Sequence, residues 1–186
     1  MTRRLVLTAH TSLDGVVDPV EDLLALDDHD GDELQDVLLE ARATEVGLLI
    51  GRRTFTTLHA DWASLPADPT GTARHLAAID RYVVSTTLDD PPWATAVLRG
   101  GDGLADDVAE VLKEGPDGDV GVVGSVGLGH ALIAADLLDE LRLVVHPRVL
   151  ARGRRLFPAG HSARGLLLAR SRVLHSGIAV QEYRWR

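Results

Sequence analysis

Cysteine is missing from all 186 residues. That excludes a disulfide framework, a thiolate metal site and a thiol nucleophile, and makes the cytoplasm the expected compartment. No apolar run approaches the length of a membrane-spanning helix. The start, Met1-Thr2-Arg3-Arg4-Leu5-Val6-Leu7, places two arginines before an apolar run, but Thr8, His10 and Thr11 soon interrupt it, so it reads as a first strand and not a signal peptide. Net positive charge is lacking too. The formal charge is −9, which argues against broad nucleic-acid binding, because phosphate backbones reward clustered basic residues. Lysine is reduced to Lys113 alone, so the positive charge sits on arginine, whose planar fork suits a small anionic ligand. There is no internal repeat, low-complexity tract or linker. Hydrophobic residues make up 45% and charged residues 25%, ordinary values for one globular domain spanning residues 1–186.

What is present is organised around Gly118-Asp119-Val120-Gly121-Val122-Val123-Gly124-Ser125-Val126-Gly127-Leu128. The valines form a run too continuous for a half-exposed strand and predict a buried parallel strand. Glycines at 124, 127 and 129 then allow a sharp turn into a helix carrying Leu128, Leu132, Ala135 and Leu138, with the helical run reaching Leu141. The unpaired N–H groups at such a helix start suit phosphate. The spacing Gly124-x-x-Gly127-x-Gly129 is not the dinucleotide fingerprint, and tight strand-to-helix packing also accounts for it.

A second opening has the same form. A strand over Val46–Ile50 runs into Gly51-Arg52-Arg53-Thr54-Phe55, a helix start with two guanidinium groups and a hydroxyl, read as either an anion site or a solvated surface turn. A strand over Arg81–Val84 ends in Ser85, Thr86 and Thr87, hydroxyls that can cap the chain or hydrogen-bond a phosphate ester near Arg52. Between the first strand and the helix bearing Leu34, Val37, Leu38 and Ala41 lie a turn, Ser12–Pro19, and an acid-rich stretch to Gly31. That stretch shows no regular ligand spacing, so it reads as a solvated loop and no metal site is expected. Asp32 and Asp102 are candidate helix caps, the latter for the helix carrying Leu104, Val108, Val111 and Leu112. Residues Ala60–Gly71, with Trp62, Pro66 and Pro69, read as loop, and Thr72–Ile79 as a short helix. After Leu141 the pattern changes to strands over Leu141–Leu150, Leu166–Leu174 and Ile178–Trp185, with Gly153 and Pro158 in one connection and a tight turn at Ser176-Gly177.

Strand and helix alternate up to that point and then give way to a hairpin. The predicted fold is α/β, three layers α/β/α, with a mixed, mostly parallel central sheet and an antiparallel C-terminal hairpin. The aromatic-ended strand Tyr183–Trp185 suggests a homodimer.

Taken in order, Ser12-Leu13-Asp14-Gly15, Gly51-Arg52-Arg53-Thr54-Phe55, Val83–Thr87, Val122–Leu128 and Asp139–Leu143 leading to His146-Pro147 and Leu156-Phe157 make a pattern over roughly residues 3–185. It resembles the dihydrofolate reductase-like superfamily, closest to stand-alone proteins similar to the reductase domain of the bifunctional riboflavin-biosynthesis deaminase/reductase. The resemblance implies NADPH as hydride donor to a small heterocyclic or carbonyl substrate. It implies that Arg52 pairs with the adenosine 2′-phosphate, with Ser85, Thr86 and Thr87 beside it, and that Gly51, Arg53 and Thr54 open a helix on the pyrophosphate. Gly124, Ser125, Val126, Gly127 and Leu128 then surround the pyrophosphate and nicotinamide ribose, with Ala9 and the loop Asp14–Val17 near the nicotinamide. Relatives often run Gly-Gly-Gly where this chain has Gly124-Ser125-Val126. The first-helix carboxylate that dihydrofolate reductases use for the pterin falls, counted back from Gly51, near Gln35, flanked by Asp32 and Asp36. An amide there points away from folate reduction and keeps a non-catalytic nucleotide- or pterin-binding module as the alternative. Asp14 is the candidate catalytic group, as substrate-orienting carboxylate or proton relay, although Asp before Gly is also simple turn chemistry. His10 and His146, near strand ends, can supply a proton near neutral pH or serve the structure alone.

Overall fold

The computed structural model describes residues 3–24, 31–63, 71–157, 160 and 164–185, with the backbone alone at 31 and 32. In chain order the elements are β1 (Arg4–Thr11), β2 (Val16–Asp18), α1 (Glu21–Leu24), α2 (Gly31–Ala41), β3 (Glu45–Gly51), α3 (Arg52–Trp62), α4 (Thr72–Ala78), β4 (Asp80–Val84) and β5 (Ala96–Leu98). They continue with α5 (Leu104–Lys113), β6 (Asp119–Val123), α6 (Val126–Ala134), β7 (Glu140–Val145), β8 (Arg154–Arg155), β9 (Leu166–Val173) and β10 (Ala179–Trp185).

Eight strands form one sheet in the order β5, β4, β3, β6, β1, β7, β10, β9. All pairings from β5 to β7 are parallel, while β10 runs antiparallel to both β7 and β9. β2 and β8 make a separate two-stranded ribbon. Successive strand residues point to opposite faces, so one run supplies two cores. Leu49, with Leu5, Leu7, Val120, Val122 and Leu141, packs on Leu104, Val108 and Val111 of α5 and on Leu128, Leu132 and Ile133 of α6. Its neighbours Leu48 and Ile50 pack the other way, with Val83, on Phe55 of α3 and Leu76 of α4. Further along that second face Val144 and Val180 meet Val37 and Leu38 of α2. The result is the three-layer arrangement that the alternation predicts.

β6 is inserted between β3 and β1, and this insertion makes the cleft. Adjacent strands β3 and β6 end side by side, Leu49 opposite Val122, yet the helix after β3 goes to one face and the helix after β6 to the other. Two helix starts that diverge from neighbouring parallel strands leave a crevice at the carboxyl edge, the place where open α/β sheets bind ligands.

Several local expectations are corrected. The helix after β6 stops at Ala134 instead of reaching Leu141. Asp136 takes a positive φ of 59°, after which Asp139 accepts a hydrogen bond from Leu5 N–H at 2.8 Å and Leu141 enters β7. Leu138 is still buried, so the apolar spacing marked the core without marking helix. β7 ends at Val145, five residues before Leu150. α3 runs through Trp62, into the stretch read as loop, and the rest of that reading, with Pro66 and Pro69, lies outside the described residues, as does Pro158. Asp102 is not a cap, since it sits inside a 3-10 turn, Gly101–Gly103, and Gly103 is the N-cap of α5. α2 begins at Gly31, and the Asp32 side chain lies outside the described set. Tyr183 and Trp185 are half-buried against the core on an interior strand. The free edge on that side of the sheet belongs to β9, and β5 is the edge on the other.

Candidate functional site

The turns after β3 and β6 are tied to one another. Ser125 Oγ accepts a hydrogen bond from Gly51 N–H at 2.7 Å, shares another with Thr54 Oγ1 at 2.7 Å, and Ser125 N–H donates to Thr54 Oγ1 at 3.0 Å. The approach is close enough to dictate glycine. A Cβ on Gly51 would lie 2.6 Å from Ser125 Oγ, and one on Gly124, already at φ +61°, would lie 3.0 Å from the Thr54 side chain. Ser125 itself occupies the left-handed region, φ 48° and ψ 61°, where a side chain is strained. Its three hydrogen bonds hold it there. The serine that departs from Gly-Gly-Gly is the strap joining the two helix starts.

Gly51–Thr54 and Gly124–Leu128 line one wall system of a groove of about 670 Å³, with Val17, Val20 and Arg154 across from them. Neither helix start carries a side-chain cap or an acid in its first turn, so the first-turn N–H groups are left for something else. Among the described residues, the Arg52 and Arg53 side chains are exposed and have no hydrogen-bond or ion-pair partner. The acids on the groove are Asp18, held by Arg154 at 2.8 Å, and Glu21. A Cβ on Gly127 would meet nothing within 4 Å, so the floor there is open to a ligand. Uncapped helix starts, unpaired guanidinium groups and a bare glycine suit a phosphate-bearing cofactor.

A second cavity, about 180 Å³, adjoins the groove through the shared residues Val17, Val20, Gly124 and Val126. Its lining is mainly apolar: Leu7, Ala9, Leu38, Val123 and Leu156, joined by Thr8, His10 and Arg42. No carboxylate is among the lining residues that the structure describes. His10 Nδ1 lies 2.9 Å from Nε2 of His146, which is fully buried, so one proton lies between the two rings.

The structure brings together Gly51, Arg52, Arg53, Thr54, Gly124, Ser125, Val126, Gly127 and Leu128 at the groove, and Ala9 with Gly124 and Val126 at the cavity. Ser85, Thr86 and Thr87 line neither. Val84 pairs with Gly51, which sets these hydroxyls at the same sheet edge, but buried Ser85 Oγ accepts from Thr87 N–H at 3.1 Å and Leu88 N–H at 3.0 Å, a local turn bond.

Asp14 also lines neither. Its Oδ1 accepts from Ser12 Oγ at 2.7 Å and Leu150 N–H at 3.1 Å, and its Oδ2 from Ala151 N–H at 3.0 Å. Those donors, the Ser12 hydroxyl first, hold its carboxyl below the usual aspartate value. An ionised acceptor whose oxygens are taken by its own chain braces two loops against one another. Gln35 likewise lines neither region. Residues that spacing did not single out are Val20, Leu38, Arg42, Arg154 and Leu156. Of these, Leu38 and Arg42 carried a signal, as Leu34, Leu38 and Arg42 fall on one helical stripe at intervals of four.

Solved structures share this architecture. A Shewanella sp. PV-4 protein provisionally assigned to riboflavin biosynthesis superposes with a TM-score of 0.69 at 21% identity, covering 98% of this chain and 99% of that one. A pyrimidine reductase-like protein of Corynebacterium diphtheriae gives 0.65 at 13%, covering 99% and 92%. The dihydrofolate reductase of Enterococcus faecalis, in complex with NADP(H) and RAB-propyl, gives 0.61 at 15%, covering 100% and 99%. These likenesses concern the fold. In sequence, the uncharacterised protein YyaP of Bacillus subtilis (strain 168) is 28% identical over 142 residues, 74% of this chain and 73% of YyaP. The model of the RibD C-terminal domain matches residues 3–180, and with that match over nearly the whole length the chain belongs to the RibD C-terminal domain family.

Proposed function

We propose that this protein is an NADPH-dependent reductase of a small heterocyclic substrate, pterin-, flavin- or pyrimidine-like, or of a small carbonyl compound. The observation that carries this reading is the strap: Ser125 fastens the starts of α3 and α6 to one another, so that two uncapped helix starts and the free Arg52 and Arg53 face a single groove. One phosphorylated molecule can use all of them at once. In this reading Arg52 holds the 2′-phosphate, Gly51, Arg53 and Thr54 with Gly124–Leu128 hold the pyrophosphate, and Ala9 and Val126 border the nicotinamide at the mouth of the apolar cavity. The bound cofactor supplies the hydride. The chain orients it, and the apolar lining of Leu38, Val123 and Leu156 keeps water from the reacting atoms. Thr86 and Thr87, exposed beside Gly51, remain candidates for the 2′-phosphate; Asp14 is left as a brace.

One feature favours a second reading, a nucleotide- or pterin-binding module without turnover: among the described residues no carboxylate lines the cavity, and Gln35 is not on its lining. Stopped-flow NADPH oxidation with a panel of pterins, flavins, pyrimidines and carbonyl compounds separates the two. Sustained oxidation with one of them is the expected result. NADPH binding without oxidation across the panel supports the module, absence of NADPH binding removes the reductase, and absence of binding by NADPH and by every compound of the panel removes both. A cytoplasmic, small-molecule enzyme is part of the same reading. The homodimer expectation moves to the edge strand β9, where Leu167, Leu168 and Val173 are exposed. Light scattering at micromolar concentration tests it, and a monomer ends it.

A further inference from the structure

Among the described residues, Arg42 is the one guanidinium on the lining of the apolar cavity. It follows the last residue of α2, with its N–H donating to Leu38 O at 3.0 Å, and Leu38 beneath it is buried. Its side chain is half-buried, yet it has no hydrogen bond or ion pair among the described residues. The acid nearest in sequence, Glu40, is engaged elsewhere, with Arg170 at 2.7 Å and Arg172 at 3.5 Å. The other titratable lining residue, His10, is hydrogen-bonded to His146. A half-buried cation on an apolar wall, with no acid paired to it among the described residues, is an incomplete pair.

The charge count separates this cation from those of the groove. There Arg52 and Arg53, adjacent in sequence and unpaired among the described residues, both line the groove, a pair suited to multiply charged phosphates. Arg42 offers one positive charge in a space of about 180 Å³. A phosphate dianion would leave a negative charge buried, whereas a carboxylate matches both the single charge and the planar two-donor fork. We propose that the cavity selects substrates whose reacting ring carries a single carboxylate, and that Arg42 is the residue that recognises it. The ligand's being a substrate rests on the reductase reading above; the recognition of a ring carboxylate does not.

The test is calorimetric binding of matched pairs, benzoate with benzamide, orotate with orotamide and pterin-6-carboxylate with its amide, to the full chain with and without NADPH. Phenyl phosphate serves as the dianionic arm. The expected result is at least one acid bound roughly tenfold more tightly than its amide. Arg42→Gln removes that difference and Arg42→Lys, which keeps the charge and loses the fork, keeps part of it. In the unaltered protein the Arg42 Nε–H resonance shifts with the acid and not with the amide, a readout that does not depend on any variant folding. The proposal is overturned if no acid is preferred, if the preference survives Arg42→Gln, or if phenyl phosphate outbinds benzoate. NADPH affinity is read in the same samples. Acid preference without NADPH binding removes the reductase reading alone, and NADPH binding without acid preference removes this proposal alone.

Discussion

The groove is built around two glycine-bearing turns at the starts of α3 and α6, whereas the cavity beside it is lined mainly by apolar residues of β1, α2, β6 and the segment around Leu156. The two share Val17, Val20, Gly124 and Val126, but they obey different rules. A groove built on turns needs particular backbone conformations and close approaches, so it tolerates few residues at its turns and many on its surroundings. A side-chain cavity needs only volume and one or two polar groups, and it can change ligand by single substitutions. If that contrast is right, changes at the turns abolish binding of any phosphorylated ligand, and changes in the cavity alter which partner ligand is chosen.

The largest effect is expected at Gly51. A Cβ there would come within 2.6 Å of Ser125 Oγ and break the strap, so Gly51→Ala costs about 2 kcal/mol of stability and lowers NADPH affinity roughly 30-fold. Urea unfolding and fluorescence titration measure the two. An unchanged affinity would mean that the two helix starts do not grip one molecule. Next comes Arg52→Ala. With the guanidinium at the 2′-phosphate, this change lowers NADPH affinity about tenfold and leaves NADH affinity unchanged, since only NADPH carries that phosphate. Equal losses for the two cofactors would assign Arg52 to the pyrophosphate instead.

Ser125 sharpens the comparison inside the groove. Ser125→Ala removes the hydroxyl and keeps a Cβ at φ 48°, whereas Ser125→Gly removes the hydroxyl and relieves that strain. Glycine is therefore expected to be the milder change, by about 1 kcal/mol in urea unfolding, although it deletes more atoms. An alanine variant as stable as the glycine variant would show that the serine hydroxyl, and not the turn's conformation, is the whole of its contribution.

The same contrast explains what could be read in the chain of letters. Gly51 and Gly124 each follow an apolar strand and precede a helix, a local pattern within a dozen residues, and the structure places both at the crevice. The parallel core, the C-terminal hairpin and the helix of Leu34, Val37 and Leu38 were legible for the same reason, since periodicity is local. The cavity was not. Leu38 and Arg42 come from α2 and its end, Val123 from β6 and Leu156 from the segment after β8, and only the tertiary fold brings them to one place. The helix end at Ala134 was hidden because Leu138 and Leu141 are buried in either conformation. Ser125 read as a departure from a glycine run because its partners, Gly51 N–H and Thr54 Oγ1, are 74 and 71 residues away. Asp14 left two readings open, a catalytic carboxylate or turn chemistry, because beyond the local Ser12 hydroxyl its donors, the N–H groups of Leu150 and Ala151, lie 136 and 137 residues along the chain.

Asp14 gives the smallest and most specific prediction, because it lies beyond both halves of the cleft and should behave like neither. Its folded carboxyl is held below the ordinary value, first by the Ser12 hydroxyl and then by the N–H of Leu150. A depressed carboxyl contributes stability that is fully present above its unfolded pKa and is lost as pH falls through the folded one. Asp14→Asn removes that contribution at all pH values. The melting temperature of the variant should therefore lie below that of the unaltered protein at pH 7, and the gap should close as pH drops below about 4. NADPH affinity and any carboxylate preference in the cavity should stay within a factor of about two, since the brace touches neither ligand region. A gap that persists unchanged to low pH would mean that Asp14 stabilises the loops by packing and not by its charge. A large loss of turnover at unchanged NADPH affinity would return Asp14 to the chemistry, as a carboxylate that reaches the substrate.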